Sequence, residues 1–187
     1  MQELTREQQI KLLKLARKTI AERLGVSYGD EPDMSDPVFK EKCGAFVTIH
    51  ISGRLRGCIG YIQGVKSLYN TIIDMAISSA FRDPRFPPLT MAEYDGIDIE
   101  ISVLSPIEPC TNIEDIKVGR DGLIISRGHQ SGLLLPQVPV EQGWNRDEFL
   151  MHTCLKAGLP PHAWREKGTV IEKFSAQVFG EKELGLA

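Results

Sequence analysis

Apolar and polar positions along the chain change period several times, and each change marks an element. Over residues 5–24, Ile10, Leu13, Ile20 and Leu24 fall at helical spacing, with Thr5 and Gln8 placed as a capping box and Gly25 as a stop. Residues 26–42 are rich in Asp, Pro and Ser and read as a long loop. From residue 44 to 52 the period drops to two. Ala45, Val47, Ile49 and Ile51 form one face, and Phe46, Thr48, His50 and Ser52 form the other. Ser52-Gly53-Arg54 is a turn signal, so residues 55–62 return as the partner strand of a hairpin.

Residues 67–81 carry Leu68, Ile72, Met75, Ala76 and Ser79 at helical spacing and predict a second helix. Arg82-Asp83-Pro84-Arg85-Phe86-Pro87-Pro88 ends it, because three prolines forbid a regular helix and stiffen the loop. Thr90 and Glu93 box one further turn. Ile97, Ile99, Ile101 and Val103 then alternate with Asp98, Glu100 and Ser102 as a strand that ends at Pro106. Residues 122–127 and 133–136 predict a second hairpin across Gly128-His129-Gln130-Ser131-Gly132. Asn145 and Glu148 open a third helix that Gly158 stops, and residues 169–179 predict a last strand. The order is an α+β pattern, with a mainly antiparallel sheet and flanking helices. Hairpin-then-helix occurs twice, which hints at two related lobes, although no fixed-period repeat accompanies it.

Composition narrows the class. A chain of 187 residues with 42% hydrophobic and 25% charged residues suits one medium domain or two small lobes sharing a core. A net charge of −3 argues against electrostatic coating of nucleic acid, although Arg54, Arg56, Arg82 and Arg85 make two local basic segments. No apolar run nears the ~20 residues of a membrane span, and the polar N-terminus lacks the apolar centre of a signal peptide. No membrane association is therefore expected, and the cytoplasm is the expected location. Cysteines at 43, 58, 110 and 154 include no Cys-x-x-Cys pair, so reduced thiols and no metal site are expected. No phosphate loop, dinucleotide fingerprint or nucleophile elbow appears, and no cofactor is expected.

The chemistry concentrates in Leu55-Arg56-Gly57-Cys58-Ile59-Gly60. Gly57 and Gly60 remove bulk and let something approach the backbone. Arg56 and Cys58 are two apart on one strand and share a face, where a cation can lower a thiol's pKa and make it a nucleophile. The competing reading is a short buried strand whose glycines mark a bulge or tight packing. His50 would lie almost opposite Arg56 across the hairpin, and Glu100 lies on the polar face of its strand; either could assist Cys58. Cys154 is a resolving thiol in one reading and a core helix cysteine in the other. Arg82 and Arg85 bind an anion, or Asp83 caps the chain reversal while the arginines pair with acids. Gln137, after Leu133-Leu134-Leu135-Pro136, orients a polar ligand or is a satisfied strand-end amide.

The hexapeptide resembles the signature of the AMMECR family, named for a human chromosomal region linked to Alport syndrome, midface hypoplasia and elliptocytosis. Gly44-Ala45-Phe46-Val47-Thr48, Asp83-Pro84-Arg85-Phe86-Pro87-Pro88-Leu89 and the segment from Ile99 through Ser105-Pro106 add to the likeness. So do Gly132-Leu133-Leu134-Leu135-Pro136-Gln137-Val138 and Cys154-Leu155-Lys156-Ala157-Gly158-Leu159, giving a span of roughly residues 7–180. The resemblance implies one AMMECR-type domain over residues 1–187. It has two unequal lobes around a cleft, the larger from both termini and the smaller from the middle, with the signature near the cleft. It brings no settled activity. It also implies a neighbourhood of Memo-like and radical S-adenosylmethionine proteins, hence a protein or RNA modification pathway with a Memo-like protein as candidate partner.

Three candidate functions emerge. The first is an accessory or binding module whose narrow floor is Gly57, Cys58 and Gly60, and whose anion contacts are Arg56, Arg82 and Arg85. It would take a small molecule or a protein partner. The second is an enzyme using Cys58 as nucleophile or redox thiol, helped by Glu100, His50 or Cys154. The third is an RNA-binding protein that stacks bases near Phe81 and Phe86. The missing acid/base partner places the binding module first.

Overall fold

A computed structural model describes residues 3–186. In chain order it contains α1 (Arg6–Leu24), β1 (Ala45–Ile51), β2 (Arg54–Tyr61), α2 (Leu68–Phe81), α3 (Met91–Tyr94), β3 (Ile97–Leu104) and β4 (Glu108–Pro109). It continues through β5 (Asp121–Arg127), β6 (Gln130–Leu134), α4 (Gln137–Glu141), α5 (Arg146–Lys156), β7 (Val170–Gly180) and α6 (Glu181–Leu184). The class is α+β with an antiparallel sheet. Contacts divide the chain into two compact units. The first runs up to Leu104 and resumes at Gln177; the second is Ser105–Ala176.

In the first unit, β1 pairs antiparallel with both β2 and β3. The β1–β2 turn is Ser52-Gly53, and both residues have positive φ, 51° and 75°, the conformation that a two-residue hairpin favours. Apolar alternation decides which face is buried. Ala45, Val47, Ile49, Ile97, Ile99, Ile101 and Val103 join Leu12, Leu13, Ala16 and Ile20 of α1 and Ile72, Met75 and Ala76 of α2 in one core. Each fully buried Ile or Leu contributes about 1.5–3 kcal/mol, so this face fixes the register of the strands. Helix α1 begins as its caps dictate: Gln8 N–H donates to Thr5 Oγ1 at 3.3 Å, and Thr5 N–H donates to Gln8 Oε1 at 2.9 Å.

In the second unit, β5 pairs antiparallel with β6 and with β7, and β4 also pairs with β7. Leu123, Ile125, Phe149, Leu150, Cys154 and Leu159 form its core, so α5 lies on the β5–β6 hairpin. The hairpin is tighter than the sequence suggests: β6 starts at Gln130, and the turn shrinks to Gly128-His129. Gln130 and Ser131 are polar and exposed, so they carry no hydrophobic signal of strand. Among the described residues, no helix is long and apolar enough to cross a membrane.

Candidate functional site

The hexapeptide lies on β2, and its residues divide between the two faces of the sheet. Gly57 pairs with Ile49 and so faces the helices. A Cβ at Gly57 would lie 2.1 Å from the backbone oxygen of Ser79, so this glycine clears room for α2 and not for a ligand over the sulfur. Cys58 pairs with Thr48, and Thr48 pairs with Glu100, which sets the three in one row on the opposite face. Gly60 pairs with Phe46 on that same face. A Cβ at Gly60 would lie 2.2 Å from the Phe46 ring, so its missing side chain seats the ring. Packing therefore uses both glycines of the floor expected from Gly57, Cys58 and Gly60.

Helix α2 approaches β2 closely enough to open the ladder. Ile59 N–H donates to Ser79 Oγ at 2.9 Å, and the Ser79 hydroxyl donates to Val47 C=O at 2.7 Å. The hydroxyl thus bridges a cross-strand pair and leaves neither backbone group unsatisfied. After α2, the proline-stiffened loop turns back onto β2. Asp83 is only 4% exposed, and its carboxylate accepts four hydrogen bonds: Cys58 N–H at 2.9 Å, Arg85 N–H at 3.1 Å, Arg85 Nε at 2.9 Å and Arg85 Nη2 at 2.7 Å. Arg85 Nη2 also donates to Cys58 C=O at 3.1 Å. The Asp83–Arg85 pair therefore holds the Cys58 residue by its N–H and its C=O. Arg85 and these hydrogen bonds keep the Asp83 carboxyl far below the usual carboxylate range, against the opposing effect of burial.

Arg56 takes another course. The β1–β2 register shifts between Ile49 and His50, so Gly57 pairs with Ile49, Leu55 pairs with His50, and Arg56 is the extra residue of a bulge. The expected His50–Arg56 apposition is replaced by His50–Leu55. Arg56 Nε meets Glu93 Oε1 at 2.9 Å and Nη2 meets Glu93 Oε2 at 3.3 Å. Glu93 Oε2 also accepts from Thr90 N–H at 2.9 Å and Oγ1 at 2.8 Å, so one carboxylate starts α3 and anchors β2. The Arg56 guanidinium first, with the Thr90 bonds, pulls the Glu93 carboxyl down to about 2 despite burial. Arg56 and Arg85 both lie over the Phe86 ring, at 5.9 and 5.5 Å from its centroid.

Burial pushes the Cys58 thiol above its ordinary value, the Asp83 and Glu100 carboxylates push the same way, and only Thr48 and Arg85 oppose them. Thr48 Oγ1 donates to Cys58 Sγ at 3.3 Å. The cation acting on the sulfur is therefore Arg85; Arg56 is turned to Glu93. His50 shares the face of Thr48, one step nearer the hairpin turn and across from Asp98. Arg82 follows α2 as an exposed cap residue.

Two expected site residues lie in the second unit. Cys154 is fully buried in its core, and burial raises its thiol, so it is a packing residue without the access a resolving thiol requires. Gln137 is the first residue of α4 and half-buried. All four cysteines are free. Among the described residues, no group of three or more His, Cys, Asp or Glu side chains is placed to hold a metal ion.

The AMMECR1 family model matches residues 13–179, which include this whole arrangement. The chain belongs to the AMMECR1 family. It is 47% identical over 186 residues to a protein of Methanothermobacter thermautotrophicus, covering 95% of this chain and 96% of the relative. It is 51% identical over 154 residues to a protein of Methanocaldococcus jannaschii, covering 78% and 77% of the two chains. The crystal structure of an uncharacterized protein from Pyrococcus horikoshii superposes with a TM-score of 0.83 at 46% identity, covering 91% of this chain and 90% of that one. Sequence reasoning missed the contacts of Thr48, Ser79 and Glu93 with this site and the bond from Cys58 N–H to Asp83, although Asp83 as a cap of the chain reversal beside a paired arginine was one of its two readings. Asp83-Pro84-Arg85 carries the one local signal, since an Asp two residues before an Arg across a proline favours a side-chain-to-backbone turn.

Proposed function

We propose that this protein is an accessory, ligand-binding protein of a protein or RNA modification pathway. Its recognition surface is centred on the half-buried Cys58 and Glu100 beside the exposed Arg85, with the buried Thr48 beneath. The state of Cys58 carries this reading. A nucleophilic or redox cysteine needs thiolate at neutral pH, and here burial and two carboxylates favour the protonated thiol. The hydrogen bond to its sulfur comes from a threonine hydroxyl, which is no general base at neutral pH. Meanwhile the buried Asp83 carboxylate accepts from Cys58 N–H and three times from Arg85, and Arg85 donates to Cys58 C=O, so the pair holds the backbone at Cys58, which suits a surface that must keep one shape.

Arg85, with its side chain 52% exposed, and Arg82 would meet an anionic group of a small molecule or peptide. The cytoplasm and a Memo-like protein partner go with this reading. RNA is the second reading, supported by Phe86 lying near two guanidinium groups. Salt-sensitive retention of RNA on a filter would replace the first reading with it.

Iodoacetamide labelling of Cys58 against pH tests the main reading. Labelling at pH 7 is expected to be slower than that of free cysteine, with its midpoint shifted upward, and Cys58→Ser is expected to fold normally. Labelling faster than free cysteine, with a depressed midpoint, would establish an activated thiol and sink the proposal.

A further inference from the structure

Strand β6 is an edge strand, and its outer side is open. It pairs with β5 alone, in unbroken register from Arg127 opposite Gln130 to Leu123 opposite Leu134. Their turn is Gly128-His129, with Gly128 at φ 61°, and a two-residue turn makes its flanking residues a hydrogen-bonded pair. Bonded and non-bonded pairs alternate from there. Gly132 and Leu134 therefore bond to β5, while Ser131 and Leu133 turn their N–H and C=O outward. Among the described residues, no other backbone or side-chain group pairs with those outward groups. Ser131 is exposed and Leu133 half-buried.

An edge is commonly guarded by a charge, a proline, a bulge or a covering segment. Strand β2 is guarded at Cys58, whose N–H donates to Asp83 and whose C=O accepts from Arg85. Strand β6 reads Gln130-Ser131-Gly132-Leu133-Leu134, with no charge, no proline and no bulge. Unmet donors and acceptors two residues apart are a template for one more extended strand. A second copy of this chain fits poorly. The end of α5 lies over Gly132, where a Cβ would be 2.3 Å from the Ala157 nitrogen. Paired strands lie about 4.8 Å apart and packed helices about 8–10 Å, so two copies joined here would drive their α5 ends together. A single extended segment brings no helix with it. We propose that the β6 edge is a peptide-docking site, separate from the Cys58 face, which takes an uncharged extended segment of a partner protein as an added strand. Segment residues opposite Ser131 and Leu133 bond to them and lay their side chains beside Leu133, on the face away from α5, so apolar residues fit there.

The probe is the blocked peptide acetyl-Thr-Val-Thr-Val-Thr-amide, whose two valines suit those positions. Amide exchange of the full chain is followed by NMR as the peptide is added. At about 5 mM peptide, the Ser131 and Leu133 amides are expected to exchange at least about fivefold more slowly, while Gly132 and Leu134, already bonded to β5, do not change. The same peptide N-methylated at both valines keeps the side chains and loses the N–H groups that face β6, so it should give no protection. Ser131→Pro removes an N–H that points away from β5; the chain should fold and hold the probe at least about tenfold more weakly. Tryptophan fluorescence from Trp144 and Trp164 checks that fold. Unchanged exchange at Ser131 and Leu133, or equal protection by the N-methylated peptide, would overturn the proposal. Protection that rises with protein concentration alone would overturn it too, in favour of a second copy.

Discussion

Replacing Asp83 by Asn tests the clamp on Cys58 most directly. The wild-type carboxylate accepts four hydrogen bonds, three of them from Arg85, while almost wholly removed from water. Asn keeps one acceptor oxygen and turns an NH2 group toward donors that then have no acceptor. Hydrogen bonds to a charged group contribute about 1.5–3 kcal/mol, and a buried group left unpaired costs about 1–3 kcal/mol. Because half of the Arg85 side chain remains in water, part of its loss is recovered by solvation. The expected net loss is about 2–4 kcal/mol, which at a typical urea dependence of about 1–3 kcal/mol/M lowers the unfolding midpoint by roughly 1–2 M. The chain provides separate reporters. Its four tyrosines, at 28, 61, 69 and 94, lie in the first unit, and both tryptophans, at 144 and 164, lie in the second. The tyrosine-detected transition should move, and exchange of the Cys58 amide should quicken. The carboxyl is held below its ordinary 3.8, so its contribution is complete above that pH and disappears only as acid protonates it in the fold. The deficit of the variant should therefore persist unchanged from neutral pH down to about pH 4. A midpoint within about 0.2 M of wild type, with unaltered amide exchange, would refute a supporting role for the clamp.

Two further outcomes are expected from the same contacts. Gly57→Ala sets a Cβ 2.1 Å from the Ser79 backbone oxygen, and Gly132→Ala sets one 2.3 Å from the Ala157 nitrogen. Each should cost about 1–3 kcal/mol or more in thermal unfolding, seen by tyrosine for the first and tryptophan for the second; wild-type melting would contradict the close approach. Glu93, lowered from 4.5 to about 2, contributes stability that is complete above pH 4.5 and is lost as pH falls toward 2. Acid titration should show wild type losing its advantage over Glu93→Gln across that window, and a constant difference would remove the Arg56–Glu93 pair as the cause.

Much of the fold is legible because it is written in local periods. The Thr5–Gln8 and Asn145–Glu148 caps, the alternation of β1 and β3, and the prolines after α2 all report on residues near in sequence. The placement of Arg56 is not, because a bulge depends on how two strands settle against a core. One extra residue turns a side chain away from its expected neighbours. The purpose of Gly57 is equally hidden, since the atom that requires it belongs to Ser79. Alternation does place Cys58, Thr48 and Glu100 on one face, but it gives no sign that the backbone at Cys58 is held by a carboxylate 25 residues on. The short helices α4 and α6 span 5 and 4 residues, too few for a hydrophobic period to show.

The hairpin-then-helix order gains a physical meaning from the two glycines. In the first unit α2 rests on Gly57 of β2 through Ser79; in the second, the end of α5 rests on Gly132 of β6 through Ala157. Both units solve one problem, bringing a helix end onto a hairpin's second strand, with a glycine at the contact and without shared sequence. The segments leaving the two helices differ. After α5 the chain reads Gly158-Leu159-Pro160, and Gln130 Nε2 donates to Gly158 C=O at 2.7 Å. After α2 it reads Arg82-Asp83-Pro84-Arg85, and the close approach at Gly57 delivers Asp83 to the neighbouring Cys58 N–H. Gly57 and Cys58 thus act as one device: the glycine admits the helix, the helix ends where the loop can reach back, and the loop fixes the cysteine. The product of the device is a strand pinned at Cys58 by both its backbone N–H and its C=O, with burial favouring the protonated thiol.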